Sequence, residues 1–295
     1  MKLLARAPGK VNLSLIVGPL RDDGRHEIAT LIESVSLADE LELEAGGDVR
    51  VDEVVCPGVS GPNIVSRALA GLRARGWDAP PVRVTIEKRI PVAAGMGGGS
   101  ADAAAVLRMA PWVARAAPPD AVLAELAAEL GTDVPSAVEP GVSLGTGAGE
   151  VVERRAPLAP HAFVIVPQAH LLATAEVYRE ADRLGLPRGV ANFSAWAEAL
   201  SSNPGGRLAP ELIVNDLAPA AISLCPPVGD ALRAVSETGA DHALVCGSGP
   251  TVAGLFWGED GSERAAAAAA ALARRYPQAS SAGPVGQEFG SPVRK

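Results

Sequence analysis

Aromatic side chains make up only 3% of these 295 residues, and long hydrophobic runs are missing altogether. The apolar 48% is carried mainly by Ala, Val and Leu, a composition that builds a folded core and excludes a disordered chain. No stretch approaches the roughly 20 unbroken apolar residues of a membrane helix. The alanine run at 265–271 is flanked by Arg264, Arg274 and Arg275. Near the N-terminus, Arg6, Pro8 and Lys10 interrupt the few apolar residues before a secretory signal core forms, so a cytoplasmic protein is expected.

Cysteine is scarce as well. Cys56, Cys225 and Cys246 are odd in number and scattered, with no C-x-x-C spacing, which argues against a disulfide framework and a zinc site and for ordinary buried thiols. His26 precedes Glu27, but position 30 is Thr rather than His, which rules out a zincin helix. Positive charge is in deficit: the formal net charge is −8 and no Lys/Arg cluster interleaves with aromatics. A phosphate backbone would be repelled, so nucleic acid is excluded as a partner. No internal repeat is present.

What is there is length enough for two lobes with a cleft between them. The first fifty residues hold short β-rich runs, among them Val11–Val17 and the alternating Glu40-Leu41-Glu42-Leu43-Glu44. Asn63 opens a helix whose apolar positions are Ile64, Val65, Ala68, Leu69 and Leu72, ended by Gly76. Val82, Val84 and Ile86 alternate with Arg83, Thr85 and Glu87 as a half-buried strand. Helices are expected over 101–109 and 121–130. The Pro- and charge-rich segment 154–160 marks a domain boundary, giving domains at 1–155 and 156–290. Beyond it, strands are expected at 163–166, 243–246 and 251–256, helices at 174–184 and 262–275, and a loop-rich stretch over 186–210.

Between the strand ending at Glu87 and the helix from Ala101 lies Pro91-Val92-Ala93-Ala94-Gly95-Met96-Gly97-Gly98-Gly99-Ser100-Ala101. Four glycines in five positions remove the Cβ atoms that would hold a ligand off the backbone, so successive N–H groups converge on phosphate oxygens. The helix that follows adds its unpaired N–H groups and positive dipole end. Ser100 is placed to cap that helix or to offer its hydroxyl to a phosphate or to Mg²⁺. The loop lacks the Gly-Lys-Ser/Thr of a Walker A sequence, and Ser100 stands where G-x-G-x-x-G requires its last glycine.

This loop resembles the middle motif of the GHMP kinases, Pro-x-x-x-Gly-[Leu/Met]-Gly-x-x-Ser. Ala7-Pro8-Gly9-Lys10-Val11-Asn12-Leu13 resembles the family's first motif and Gly247-Ser248-Gly249-Pro250-Thr251 its third, in family order across nearly the whole chain. Asp22-Asp23-Gly24-x-His26-Glu27, Thr132-Asp133-Val134-Pro135 and Asn215-Asp216-Leu217 resemble the branch whose substrate is a cytidine diphosphate-linked methylerythritol. The resemblance implies an α+β, two-domain fold: a ribosomal protein S5 domain 2-like N-terminal domain, a ferredoxin-like C-terminal domain and ATP between them. It implies a kinase using ATP and Mg²⁺ on a small-molecule substrate, acting as a monomer or homodimer away from membranes. Other small-alcohol kinases of the homoserine or mevalonate type, and a non-catalytic ligand sensor, are the alternatives.

By the same resemblance, Asp133 would take or orient the proton of the attacking hydroxyl, and Lys10 would pair with it and offset charge on the γ-phosphoryl. Asn12, two residues on and so on the same strand face, is assigned to substrate hydroxyls. His26 would read the cytosine edge. The position after Gly24 is usually a tyrosine in that branch and is Arg25 here, whose planar guanidinium can still stack on a base. Asn63 serves adenine or caps its helix. Ser248 belongs to a turn whose N–H groups face substrate phosphate.

Overall fold

The computed structural model describes residues 1–59, 61 and 63–295. The first sheet is built on two long antiparallel strands, β1 (Lys2–Leu20) and β2 (His26–Ala45), paired from Lys2↔Glu44 to Leu20↔His26. The runs read as short in the sequence are parts of these ribbons. Register shifts at Pro8/Lys10, Asn12/Ser14 and Val17/Leu20 change which face each side chain presents and erase a continuous alternation. As a result β1 serves three cores in succession. Leu3, Ala5 and Ala7 pack under the helices of the first half, Val11, Leu13 and Ile16 between the sheets, and Leu15 and Val17 against the second half.

The rest of the first sheet follows with β3 (Glu53–Val55), helix α1 (Ile64–Ala74) and β4 (Val82–Glu87). Helices α2 (Gly98–Val113), α3 (Asp120–Leu130) and α4 (Val134–Val138) lead to β5 (Val142–Thr146) and β6 (Val151–Arg154). Strand β4 pairs with β2 over Glu40–Ala45 and β5 pairs with it over Thr30–Glu33, so the two share one edge of β2 in turn. In α1 the Asn63 side chain accepts from the Val65 N–H at 2.8 Å, and Val65, Ala68, Leu69 and Leu72 are buried. That cap contributes about 1 kcal/mol. Ala101, Ala103, Ala104 and Ala105 of α2 are buried, and their small side chains permit close approach to the sheet on one side and to α1 and α4 on the others.

The second half contributes β7 (His161–Val166), α5 (Thr174–Arg183), α6 (Val190–Ser201), α7 (Ala218–Leu224) and α8 (Pro226–Glu237). It continues with β8 (His242–Val245), β9 (Val252–Trp257), α9 (Gly261–Leu272) and β10 (Ser280–Ala282). These strands form an antiparallel sheet in the order β10-β7-β9-β8. The final strand, β11 (Val293–Arg294), returns to the first sheet and pairs with Leu3 and Leu4 of β1. Helix α6 occupies a stretch expected to be loop-rich. Its flanking prolines and glycines mask a short helical pattern, in which Phe193, Trp196, Ala197 and Leu200 pack on the inter-sheet core. Among the described residues no helix is long and apolar enough to cross a membrane.

Candidate functional site

Strand β4 ends at a buried ionic knot. The Asp39 Oδ1 accepts from the backbone N–H of Arg89 at 2.6 Å and of Ile90 at 2.8 Å, while Lys88 Nζ contacts Asp39 and donates to Asp102 Oδ2 at 2.8 Å. Burial, with the Asp39 charge adding to it, pushes Asp102 up to about 7 against the pull of Lys88. For Lys88, burial works the other way but the two carboxylates outweigh it, and its pKa is raised. The knot roots both ends of the glycine loop, since Lys88 precedes it and Asp102 follows it in α2. Nothing in the local pattern signalled this, because Asp102 sits inside an alanine-rich run.

From that root the loop turns through left-handed conformations at Ala93 (φ 55°), Gly95 (φ 76°) and Gly97 (φ 67°). A side chain at Gly95 has no room: an ideal Cβ would lie 2.2 Å from the Cys246 carbonyl oxygen and 2.7 Å from that of Gly249. Backbone bonds tie the loop to β1, where Lys10 N donates to Met96 O at 3.0 Å, and to the third glycine turn, where Thr251 N donates to Ala94 O at 3.4 Å. Helix α2 then starts at Gly98 with Gly97 as its cap and no side-chain capping bond. Its first N–H groups lack intrahelical partners. Ser100, expected as a possible cap, lies within the first turn instead, because the left-handed Gly97 starts the helix earlier.

Lys10 arrives from β1. Its ammonium donates to Asn12 Oδ1 at 2.7 Å and Gly95 O at 2.8 Å, and lies 3.9 Å from Asp133 Oδ2. Asp133 immediately precedes α4 but makes no side-chain cap bond, so its carboxylate, 39% exposed, is open to the cleft. Asn12, assigned to substrate hydroxyls, also donates Nδ2 to Thr30 Oγ1 at 2.8 Å, and that hydroxyl donates to Ser14 O at 2.7 Å. Its amide is therefore engaged within the protein, where it orients Lys10.

These residues line one cavity of about 990 Å³ together with Arg25, His26, Asn63 and Ser248. Pro91–Gly95 and Gly97–Ser100 are on its wall, but Met96 and Ala101 are not. Met96 is buried between the sheets and Ala101 under the first sheet: as the loop turns into the helix these two side chains point inward, so any part they take in binding falls to their backbone atoms. Cys56 is partly buried and also on the wall, unlike the buried Cys225 and Cys246. Burial pushes the Cys56 thiol up and that of Cys246 to about 12.

At the far end, His26 is buried, with Nδ1 2.9 Å from Gly18 O. Its Nε2 is 3.0 Å from Asp182 Oδ1 but makes no hydrogen bond among the described residues. Tyr178 of α5 lies nearly parallel to the imidazole, 5.8 Å between centroids and 17° between planes. Burial and then the Asp133 charge push its phenol up to about 12. Arg25 is half exposed at the mouth, its guanidinium held by Asp23 Oδ2 at 2.8 and 3.1 Å. Thr174 Oγ1, one helical turn before Tyr178, is 3.1 Å from Ser248 Oγ, and both are on the wall. Sequence reasoning missed Thr30, Thr174 and Tyr178; the only advance sign was that Thr174 and Tyr178 share a helix face at i, i+4.

The model for the GHMP kinases N terminal domain matches residues 63–141, and that for the GHMP kinases C terminal domain matches 196–278. The chain is 40% identical over 270 residues to a 4-diphosphocytidyl-2-C-methyl-D-erythritol kinase of Corynebacterium efficiens, covering 86% of this chain and 84% of the relative. It is 41% identical over 258 residues to one of Mycobacterium tuberculosis, covering 85% and 80%. A crystal structure of 4-(cytidine 5'-diphospho)-2C-methyl-D-erythritol kinase superposes with a TM-score of 0.74 at 33% identity over 96% of this chain and 99% of that one. A putative homoserine kinase from Listeria monocytogenes shares the fold, with a TM-score of 0.62 at 17% identity over the whole of both chains. With both domain models matched in order and these relatives similar over most of its length, the chain belongs to the GHMP kinase family.

Proposed function

We propose that this chain transfers the γ-phosphoryl group of ATP to the 2-hydroxyl of 4-diphosphocytidyl-2-C-methyl-D-erythritol, a step of the non-mevalonate route to isoprenoid precursors, in the cytoplasm. The observation that carries the reading is a single cavity that joins the glycine loop, the Lys10–Asp133 pair and the His26–Tyr178 rings. It rests also on relatives of that name at about two-fifths identity. In this reading residues 1–155 and 156–290 are the two domains, with the cleft between them.

The glycine loop and the N-terminus of α2 would hold the triphosphate, for which left-handed glycines and unpaired N–H groups supply a cradle no side chain obstructs. Mg²⁺ bound with the nucleotide would neutralise charge on the phosphate oxygens. Asp133 would accept the proton of the 2-hydroxyl as that oxygen bonds to the γ-phosphorus and the bond to the ADP leaving oxygen breaks. Lys10, aimed by Asn12 and Gly95, would offset charge in the transition state. His26 would read the cytosine edge with Tyr178 and Arg25 as flat surfaces beside the base, and Thr174 and Ser248 would face its diphosphate. Asn63 remains assigned to the adenine end.

Purified protein with Mg²⁺, ATP and a panel of alcohols, followed by ADP release, tests this. ADP formed with the cytidyl substrate alone is the expected result. Turnover of homoserine or mevalonate instead would overturn the substrate, and nucleotide binding without turnover of any alcohol would make the chain a sensor.

A further inference from the structure

The segment Asn215-Asp216-Leu217 has no part in the chemistry so far described, yet it is stitched to the strand that carries Lys10. Leu15 N donates to Val214 O at 2.7 Å and Asp216 N donates to Leu15 O at 2.9 Å. Val17 N donates to Asp216 Oδ2 at 3.0 Å, and Arg188 grips the same carboxylate at 2.6 and 2.7 Å. From this short parallel contact, Asn215 reaches across to the third glycine turn. Its Nδ2 donates to Val245 O at 2.8 Å and to Gly247 O at 2.7 Å, while its Oδ1 accepts from Leu217 N at 2.9 Å.

Gly247 is the backbone behind the Lys10 ammonium. Its φ is +56°, and an ideal Cβ there would lie 3.0 Å from Lys10 Nζ, 3.1 Å from Gly95 O and 3.3 Å from Asn12 Oδ1. These are the same groups that aim Lys10. One proton of the amide thus holds the Gly247 carbonyl, and the other holds that of Val245 at the end of β8, so a single side chain pins the entry to the turn that closes the space around the lysine.

We propose that Asn215 is a positioning residue for phosphoryl transfer: its two donated bonds hold the Gly247 turn against Lys10 and so keep the ammonium aimed toward Asp133. The inference rests on the kinase reading above. Without the donors, the turn loses its tether to β1 and Lys10 gains room to wander, and small displacements of a catalytic group are costly in rate. The bond from Leu217 N to Oδ1 is a separate, local one that shapes the entry to α7.

Asn215→Asp separates the two tasks, because it keeps shape and the Oδ1 acceptor but removes both donors. The expected result is a kcat at least about tenfold below that of the unaltered protein, with the KM for ATP within about twofold and cooperative thermal unfolding retained. If Asn215 merely shapes the turn before α7, kcat is unchanged, and that outcome overturns the proposal. Should the aspartate variant not fold, Asn215→Ser carries the test, since its hydroxyl is neutral, accepts from Leu217 N and donates at most one bond. A kcat at least about threefold down supports the role, and an unchanged kcat in the folded serine variant overturns it. Failure of the kinase reading itself would show differently, as no turnover by the unaltered protein.

Discussion

Lys10 and Asp133 face each other across 3.9 Å, with Gly97 beside both. The ammonium makes its short contacts to Asn12 and Gly95 instead, so among the described residues the Asp133 carboxylate is not tied up by a short bond, which in the proposed kinase reading leaves it available to receive a proton. Asp133→Asn is expected to lower kcat by about 100-fold or more while ATP affinity changes little. Steady-state kinetics beside nucleotide titration would show it, and near-normal kcat would remove Asp133 from the proton transfer.

The glycine loop supplies a pair of opposite expectations. At Gly95 a methyl group meets two carbonyl oxygens at 2.2 and 2.7 Å in a left-handed backbone, so Gly95→Ala should cost about 3 kcal/mol or prevent folding. At Gly99, inside α2, the nearest atom to an added Cβ is Ile64 Cγ2 at 3.5 Å, an ordinary contact. Gly99→Ala should hold or raise the thermal midpoint, by up to about 1 kcal/mol in helix propensity, yet raise the KM for ATP by placing a methyl on the cavity wall. Equal thermal midpoints for the two variants would contradict the geometry.

His161 of β7 clasps Glu33 of β2 across the inter-sheet core. Its Nε2 lies 2.7 Å from Glu33 Oε2 and its Nδ1 2.7 Å from Ala159 O, so both ring nitrogens face acceptors and the imidazolium satisfies both. Burial opposes that charge, but the Glu33 hydrogen bond and charge prevail and the pKa is raised. A raised folded pKa means stability that is complete below the ordinary histidine range and is lost as pH climbs through the raised value. The thermal-midpoint advantage over His161→Gln should therefore shrink from pH 6 toward pH 9. A constant difference across that range would refute it.

Tyr178 presents its ring beside His26 at the far end of the cavity. If it carries the base, Tyr178→Ala should raise the KM for the cytidyl substrate about tenfold, the scale of one base–aromatic stack, with the KM for ATP unchanged. Equal effects on both substrates would argue for a general collapse of the cleft.

Much of the first lobe was legible. Asn63 with the apolar spacing of Ile64–Leu72 announces a capped helix, and Val82, Val84 and Ile86 announce a strand, because each pattern is local and the structure buries those residues. The stretch 190–201 was misread because short-range breakers outweighed a helix whose apolar side chains, Phe193 and Trp196, find their partners only in the inter-sheet core. Asn12 was legible as a cleft residue on the face of Lys10, but its bonds to Lys10 and Thr30 depend on β2 lying alongside β1.

Residue type at fixed spacing is enough to set the glycine-rich loop, the order of the three motifs and, through them, the family, since close backbone approach and left-handed turns depend on it. Tertiary structure alone decided which side chains share the cleft. Tyr178 and Thr174 lie far along the chain from Lys10, as does Asn215 behind the Gly247 turn, and no local periodicity encodes their approach. They meet because β1 is held to the 214–216 segment and the third glycine turn packs, backbone to backbone, on Gly95.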